Sequence, residues 1–429
     1  MRSSSSSLEM DAKESQEDLD VEKSMPRLVQ EVEGLPEEAI ARTITTTTPL
    51  MDLDKGLIGW DSVDDLQNPL NWPASKRLTD MILMSVITFL SPLGSSIFAP
   101  GIGYALHDLH TSSQAVGSLM ITIYLLGYAL GPLFLSPLSE IYGRYPVVIG
   151  SCWFFVAFLL GCSFAPSMAG LIVMRFLAGT GGSAVMTIAP AMVADLYPLE
   201  RRGLAMGTIL VNDAWLGLHS KFLTFAQIVQ SVSPSTGPIC GGFIAQRLGW
   251  RWAYWILVIA AGTVTLLLTL FMFEPYAPAI LERKTRRLRK ELGRPDLKSK
   301  LALQVTRAEL MKKSLIRPLK LLTRSPAVFL FSLYVATIYG MLYLSFTTIP
   351  SVFSEVYGFS VELTGLVYIP FGVGMIICLS YFMKTSDKMV MTLREKNNGV
   401  FEPEMRLPGV VYIAAFQGMK FSMEVVRTC

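Results

Sequence analysis

Arg175 and Asp213 stand among mostly apolar or small neighbours, where a full charge is the costliest group a chain can place. Two kinds of chemistry suit such positions. A carboxyl held in hydrocarbon can take up and release a proton when burial raises its proton affinity toward neutrality. That makes Asp213, beside Asn212, the candidate proton-coupling residue, unless it only caps a broken helix. An arginine keeps its charge and instead gathers acceptors. Arg175 shares one helical face with Gly179, Gly182 and Met186, so it either points into close helix contact or snorkels to a water interface about six residues away. No catalytic constellation accompanies them: there is no Walker-type phosphate loop, and no Ser or Cys nucleophile has a credible His partner. Three histidines without ligand spacing argue against a metal site, and His107 and His110 read as solvated loop residues.

Such charges need membrane-spanning helices around them. An α-helix rises about 1.5 Å per residue and needs about 20 mostly apolar residues to cross hydrocarbon. Runs near Thr79–Gly101, Val116–Leu138, Pro146–Phe164, Ala169–Ala194, Trp252–Phe273, Pro326–Pro350 and Gly365–Phe382 meet that length. An eighth crossing, around Leu204–Ala245, is split by a polar insert, and beyond Phe382 only Leu407–Met419 is apolar, too short to cross. A composition of 51% hydrophobic and 17% charged residues, with a mean hydropathy of +0.44, exceeds what a water-soluble globule hides. The expected fold is therefore an all-α polytopic membrane protein. Of the five cysteines, Cys152, Cys162, Cys240 and Cys378 lie inside apolar runs and read as packing residues.

Charge placement orients the chain. Of 37 Lys and Arg, eight lie in residues 1–77, fifteen between Arg283 and Arg324, and five between Lys384 and Arg406. Alternating spans put these groups on one side with Arg144, Arg201 and Arg202, while the loops Tyr104–Ala115, Ala165–Met168 and Ser351–Thr364 carry none, so the N-terminus is expected in the cytosol. Arg247 and Arg251 are the exception. The expected domains are a disordered cytosolic tail at 1–77, a six-helix bundle at 78–273 with an anomalous insert at 218–236, a basic cytosolic linker at 274–325, and a partial second bundle at 326–429. Within the linker, Leu281–Leu292 carries six basic residues on an amphipathic stretch, which either lies on an anionic leaflet or is a solvated charge run. Asp80 and Asp195, at span ends, read as solvated interfacial acids.

Three motifs add to hydropathy. Ser136–Arg144 sets Glu140 four residues before Arg144, with Gly143 beside it for a tight turn, so the charges are expected to latch two helices. Arg175 with Gly179 and Gly182 predicts close helix contact, and Gly237-Pro238-Ile239-Cys240-Gly241-Gly242 combines small-residue contact with a proline, suiting a helix that pivots. Tyr124 and Tyr128, and Tyr339, Tyr343 and Phe346, recur at helical spacing, as substrate contacts for flat amphipathic molecules or as packing.

At these residues the chain resembles the major facilitator superfamily. The first motif is similar to that family's loop signature between spans two and three, matching at Gly143 and Arg144, with Glu140 for the usual aspartate, Ser136 for the usual first glycine and Ile141 for a usual basic residue. Arg175–Ser183 resembles the fourth-span signature at Arg175, Gly179 and Gly181, with Ala178 for a frequent glutamine; Gly237–Gly242 resembles the fifth-span element of antiporters. Asn68–Pro73 with Lys76-Arg77, Pro198–Gly203, Gly249–Trp252, Pro275–Arg289, and Tyr339-Gly340 with Tyr343-Leu344 narrow the resemblance to fungal twelve-spanner drug–proton antiporters, over about residues 60–217 and 237–408.

The resemblance implies a multi-pass plasma-membrane protein that exports amphipathic small molecules, such as drugs or fungal secondary metabolites, in exchange for protons. Its partners would be the lipid bilayer, a small-molecule substrate and protons, with the proton gradient as energy source, no cofactor and no nucleic acid. Glu140, Gly143, Arg144, Arg175, Gly179, Gly237, Pro238, Gly241 and Gly242 would serve conformational change. Two alternatives are a facilitator-type importer of small solutes and a truncated, non-transporting membrane protein. The second draws on two departures: residues 218–236 interrupt a fifth span that their removal restores to about 23 residues, as a retained intron or gene-model error would, and family resemblance is lost from Gly409 onward.

Overall fold

Six of the apolar runs fold as helices of membrane-crossing length, and short backbone devices set where several of them begin and end. The computed structural model describes residues 50–111, 113–196, 232–302 and 306–377, with a few positions beyond. Candidate spans are Ala74–Asp108, Ala115–Tyr142, Arg144–Ser163, Met168–Leu196, Trp250–Phe271 and Pro326–Ser354, with a shorter apolar helix at Val361–Ile377. Asp213, Pro198–Gly203, residues 218–231 of the insert and Leu407–Met419 lie outside the described residues.

The first span bends. Helix α1 (Ala74–Ser96) passes through a 3-10 turn at Ala99–Gly101 into α2 (Ile102–Asp108). Helix α3 (Gln114–Tyr142) stops at Gly143, whose φ of 101° breaks the helix, and α4 (Arg144–Ser163) starts at once. Helix α5 (Met168–Leu196) follows, then α6 (232–247) and α7 (Trp250–Phe271), entered through Gly249 at φ 95°. Residues 232–236, inside the expected insert, are the first turn of α6: Ser233 is buried and donates its hydroxyl to the Phe89 carbonyl at 2.6 Å.

Lipid tails are as apolar as leucine, so close packing rather than water exclusion holds such helices together. One close pair is α3 with α5. A Cβ on Gly179 would strike the Tyr124 backbone carbonyl, and one on Gly127 the Phe176 carbonyl, so only glycine permits this approach. Met84, Ile87, Phe98, Tyr124, Phe155, Leu159, Ile188 and Tyr254 fill the shared core.

Outside the spans, helix α8 (Ala277–Leu292) has Pro278 in its first turn and ends at Gly293 in the left-handed region, φ 62°. Helix α9 (Arg307–Arg324) opens with a capping box: Thr306 and Glu309 satisfy each other's backbone amides. Ser325 alone separates it from α10 (Pro326–Glu355), and α11 (Val361–Leu366) follows.

The expected disordered tail ends well before residue 77. Strand β1 (Leu57–Ile58) pairs in parallel with β2 (Lys298–Ser299), Asn68 caps a 3-10 turn at Pro69–Asn71, and Trp72 is buried against Met81, Val193 and Leu196. Apolar and cap-forming residues inside the polar stretch give it something to fold against. The compact unit comprises Leu53–Ile58 and Asp64–Tyr381. In a separate unit Leu50 bridges Trp60, and the Met51 amide donates to the Trp60 carbonyl at 2.9 Å.

Candidate functional site

Arg175 points into the bundle. It is 1% exposed, and its guanidinium donates to the Tyr254 hydroxyl of α7 at 2.8 Å and to the Ser95 carbonyl of α1 at 2.9 Å. The rings of Phe98, Tyr124 and Tyr254 surround it at 5.3, 5.5 and 5.9 Å from its central carbon to their centroids. Among the described residues no carboxylate forms an ion pair with it, and its Nε has no hydrogen-bond partner. Carbonyl dipole, hydroxyl and ring faces therefore solvate the cation in place of water. The α5 glycines admit α3 so closely that Tyr124 reaches this position, and its hydroxyl then donates to the Ser91 carbonyl at 2.8 Å.

The same turn of α1 reaches the second half of the chain. Ser95 Oγ donates to the Pro92 carbonyl at 2.6 Å and so accepts the Tyr343 hydroxyl of α10, 2.8 Å away. By the same logic Ser91 Oγ donates to the Gly182 carbonyl at 2.8 Å and accepts the Tyr128 hydroxyl. Tyr343 packs edge-on against Phe346, which with Tyr368, Ala99 and Ile121 forms a buried cluster. Of the aromatic candidates, Tyr124 and Tyr128 belong to the arginine's frame, Tyr343 and Phe346 to this cluster, and Tyr339 is 53% exposed. Beside the cluster, the α1–α2 turn and the far end of α10 enclose a cavity of about 580 Å³ lined by Pro100, Tyr104, His107, Thr347 and Ser354.

Gly237–Gly242 lies in α6 against the end of α1. Gly237 and Gly241 face the Ser96–Ile97 backbone, and Gly242 faces Val361 and Gly365 of α11, so backbone meets backbone on both sides. Pro238 leaves one upstream carbonyl without its helical donor.

At the linker end the expected Glu140–Arg144 latch does not form. Gly143 turns the chain between them, so the two residues sit on different helices and the four-residue spacing loses its meaning. Arg144 instead pairs with Asp195 of α5 at 3.0 Å, donates to Ser139 Oγ at 2.6 Å and lies over the Tyr276 ring at 4.7 Å. Asp195 is thus part of a semi-buried ion pair rather than a solvated acid. Glu140 faces a cavity of about 390 Å³ with Arg283, Arg286 and Arg307. Asp80 is also no solvated acid: it is fully buried, without a hydrogen bond of good geometry to its carboxyl oxygens, at the end of α1 where the rings of Trp72 and Phe273 meet edge-on. Lys76, one turn before it, is held over those two rings at 3.5 and 3.9 Å.

Glu274 completes the cluster around Arg144 and escaped the sequence reading. Its carboxylate accepts the Arg144 amide at 2.8 Å and the Tyr145 and Tyr276 amides at 3.2 Å, capping the N-terminus of α4, with Arg283 at 3.7 Å. An acid directly after the apolar run ending at Phe273 was the available signal. Burial pushes its carboxyl above the ordinary 4.5, against the pull of the three amides and Arg283. The folded protein then holds this proton to higher pH than the unfolded chain. Its contribution is fully favourable below the unfolded value and declines as pH rises through the folded one. The thermal stability of wild type relative to Glu274→Gln should accordingly fall as detergent-solubilised protein is melted at increasing pH from about 4 upward. A difference that grows with pH would refute that sign.

A bundle of membrane-length helices closed around a buried arginine defines a multi-pass helical membrane protein. Residues 84–396 match the Major Facilitator Superfamily, and the chain belongs to that family. It is 43% identical over 363 residues to the MFS-type transporter penM of Penicillium rubens, covering 85% of this chain and 68% of that protein. It is 41% identical to the MFS-type transporter atr4 of Stereocaulon alpinum (84% and 62% covered) and 39% identical to the efflux pump radE of Floropilus chiversii (83% and 63%). The chain thus spans less than two thirds of the length of the latter two. Its fold matches the proton:xylose symporter XylE bound to 6-bromo-6-deoxy-D-glucose at a TM-score of 0.50 and 14% identity, over 80% of this chain and 79% of that one.

Proposed function

We propose that this protein exports amphipathic small molecules across the plasma membrane in exchange for protons, with its N-terminus and basic linker in the cytosol. The observation that carries the reading is the placement of Ser95: its carbonyl holds Arg175 in the first bundle and its hydroxyl accepts Tyr343 from α10. One helical turn therefore communicates between the buried cation and the first helix of the second half, as alternating access requires of a site near the bilayer midplane. The similarity to the efflux pump radE supports the export direction. The backbone-to-backbone contact of Gly242 with Gly365 supports the movement itself, as a surface along which two helices can slide without side chains interlocking. Asp213 is the proposed proton carrier, and the aromatic residues around Ser91 and Ser95 would face flat substrates as the bundles part.

The full chain reconstituted into liposomes, with the amphipathic dye rhodamine 6G as probe, tests this. An imposed pH gradient should drive dye uphill, a protonophore should stop it, and Asp213→Asn should keep dye exchange while losing the gradient dependence. Wild-type movement no greater than through empty liposomes would end the transport reading, and movement indifferent to the gradient would end the coupling.

A further inference from the structure

The linker contains two basic amphipathic helices, and they are disposed oppositely. Helix α8 turns its apolar side to protein: Leu281 and Thr285 are fully buried, Arg289 donates to the Leu297 carbonyl at 2.8 Å, and Lys284 lies 3.9 Å from Asp65. Helix α9 buries no residue at all. On its surface Leu315, Ile316, Leu319 and Leu322 recur at helical spacing as an apolar stripe, and Ile316, Leu319 and Leu322 are 48%, 61% and 36% exposed. Lys313, Arg317, Lys320 and Arg324 form a second stripe at i, i+4, i+7 and i+11, Lys312 stands within the apolar one, and all are exposed. Among the described residues none of these five cations makes an ion pair, and the one acid of the helix, Glu309, is engaged in the capping box.

We propose that α9 is an interfacial helix that lies on the anionic inner leaflet, its leucine stripe in the acyl boundary and its basic stripe held by lipid phosphates and carboxylates. Chain continuity places it there. Only Ser325 separates its last residue from a membrane-spanning helix, so its C-terminal turns cannot leave the bilayer surface. Charge selects the occupant: an apolar partner surface would satisfy the leucines but leave five uncompensated cations, whereas an anionic leaflet satisfies both. The helix would fix the level at which α10 enters the membrane and make that position depend on lipid charge. The inner-leaflet assignment rests on the cytosolic linker proposed above; the membrane contact itself does not.

Hydrogen exchange of the full chain in nanodiscs separates the possibilities, since both leaflets then carry the same lipid and orientation drops out. Amides of Arg307–Arg324 should exchange about tenfold more slowly in phosphatidylserine-rich discs than in phosphatidylcholine alone. The variant K313Q/R317Q/K320Q/R324Q should abolish that difference while α4 amides remain protected, which shows that the bundle is folded. Equal protection in both lipids would mean that protein covers the stripe. Equal lack of protection would mean that nothing does. Either result overturns the proposal.

Discussion

Replacing Arg175 with alanine should abolish efflux and lower the stability of the first bundle by about 3–5 kcal/mol, whereas replacing it with methionine should abolish efflux at a cost of at most about 2 kcal/mol. The difference follows from what surrounds the guanidinium. Phe98, Tyr124 and Tyr254 are packed around it and are themselves buried, so alanine leaves a hole that rigid rings cannot collapse into. Methionine refills most of that volume with a flexible apolar stem. Both variants leave the Tyr254 hydroxyl and the Ser95 carbonyl without the cation, and both remove a charge buried with no carboxylate beside it, which offsets part of the loss. The proposed export would then depend on the charge and the fold on the volume. Thermal unfolding in detergent and dye export by proteoliposomes read the two separately. Wild-type export by the methionine variant would remove the guanidinium from the mechanism, and equal melting of both variants would show that the rings do collapse.

That separation reflects what could be read in the sequence. The inward aim of Arg175 was legible as one of two readings, because glycines on the same helical face predict close approach and the α3–α5 contact bears this out. Its partners were not, because Ser95 and Tyr254 lie on helices far away in sequence and carry no periodic signal. The latch failed for a local reason: helical spacing was assumed across Gly143, where the backbone leaves the helix. Asp80 and Asp195 were misjudged because distance along the chain from an apolar run does not measure burial; the folded bundle buries the first completely and Arg144 reaches the second. The helical spans and their family were the clearest reading, since length and hydropathy suffice for them.

Gly179→Ala should cost about 2–4 kcal/mol, more than an ordinary small-to-large change, because the atom it meets is the Tyr124 backbone carbonyl and neither helix can yield locally. Relief requires α3 and α5 to part along their whole contact. That would withdraw Tyr124 from Arg175 and loosen the Tyr124 bond to Ser91, so export should fall with stability. Gly150→Ala in α4 is the control: nothing lies within 4 Å of the added Cβ, and relief of glycine's backbone freedom should raise stability by about 0.5–1 kcal/mol. Unfolding midpoints of the two purified variants decide the matter. A Gly179→Ala protein as stable as wild type would mean that the helices are not in backbone contact.

The pairing of Leu57–Ile58 with Lys298–Ser299 has a consequence for biogenesis. The two strands are some 240 residues apart, so at about 5–20 residues per second the first waits roughly 12–48 s after leaving the ribosome for its partner to be made. Every helix of the first bundle is synthesised and threaded into the bilayer in that interval. Closure of this two-residue ladder is therefore a late event that reports completion of the first bundle.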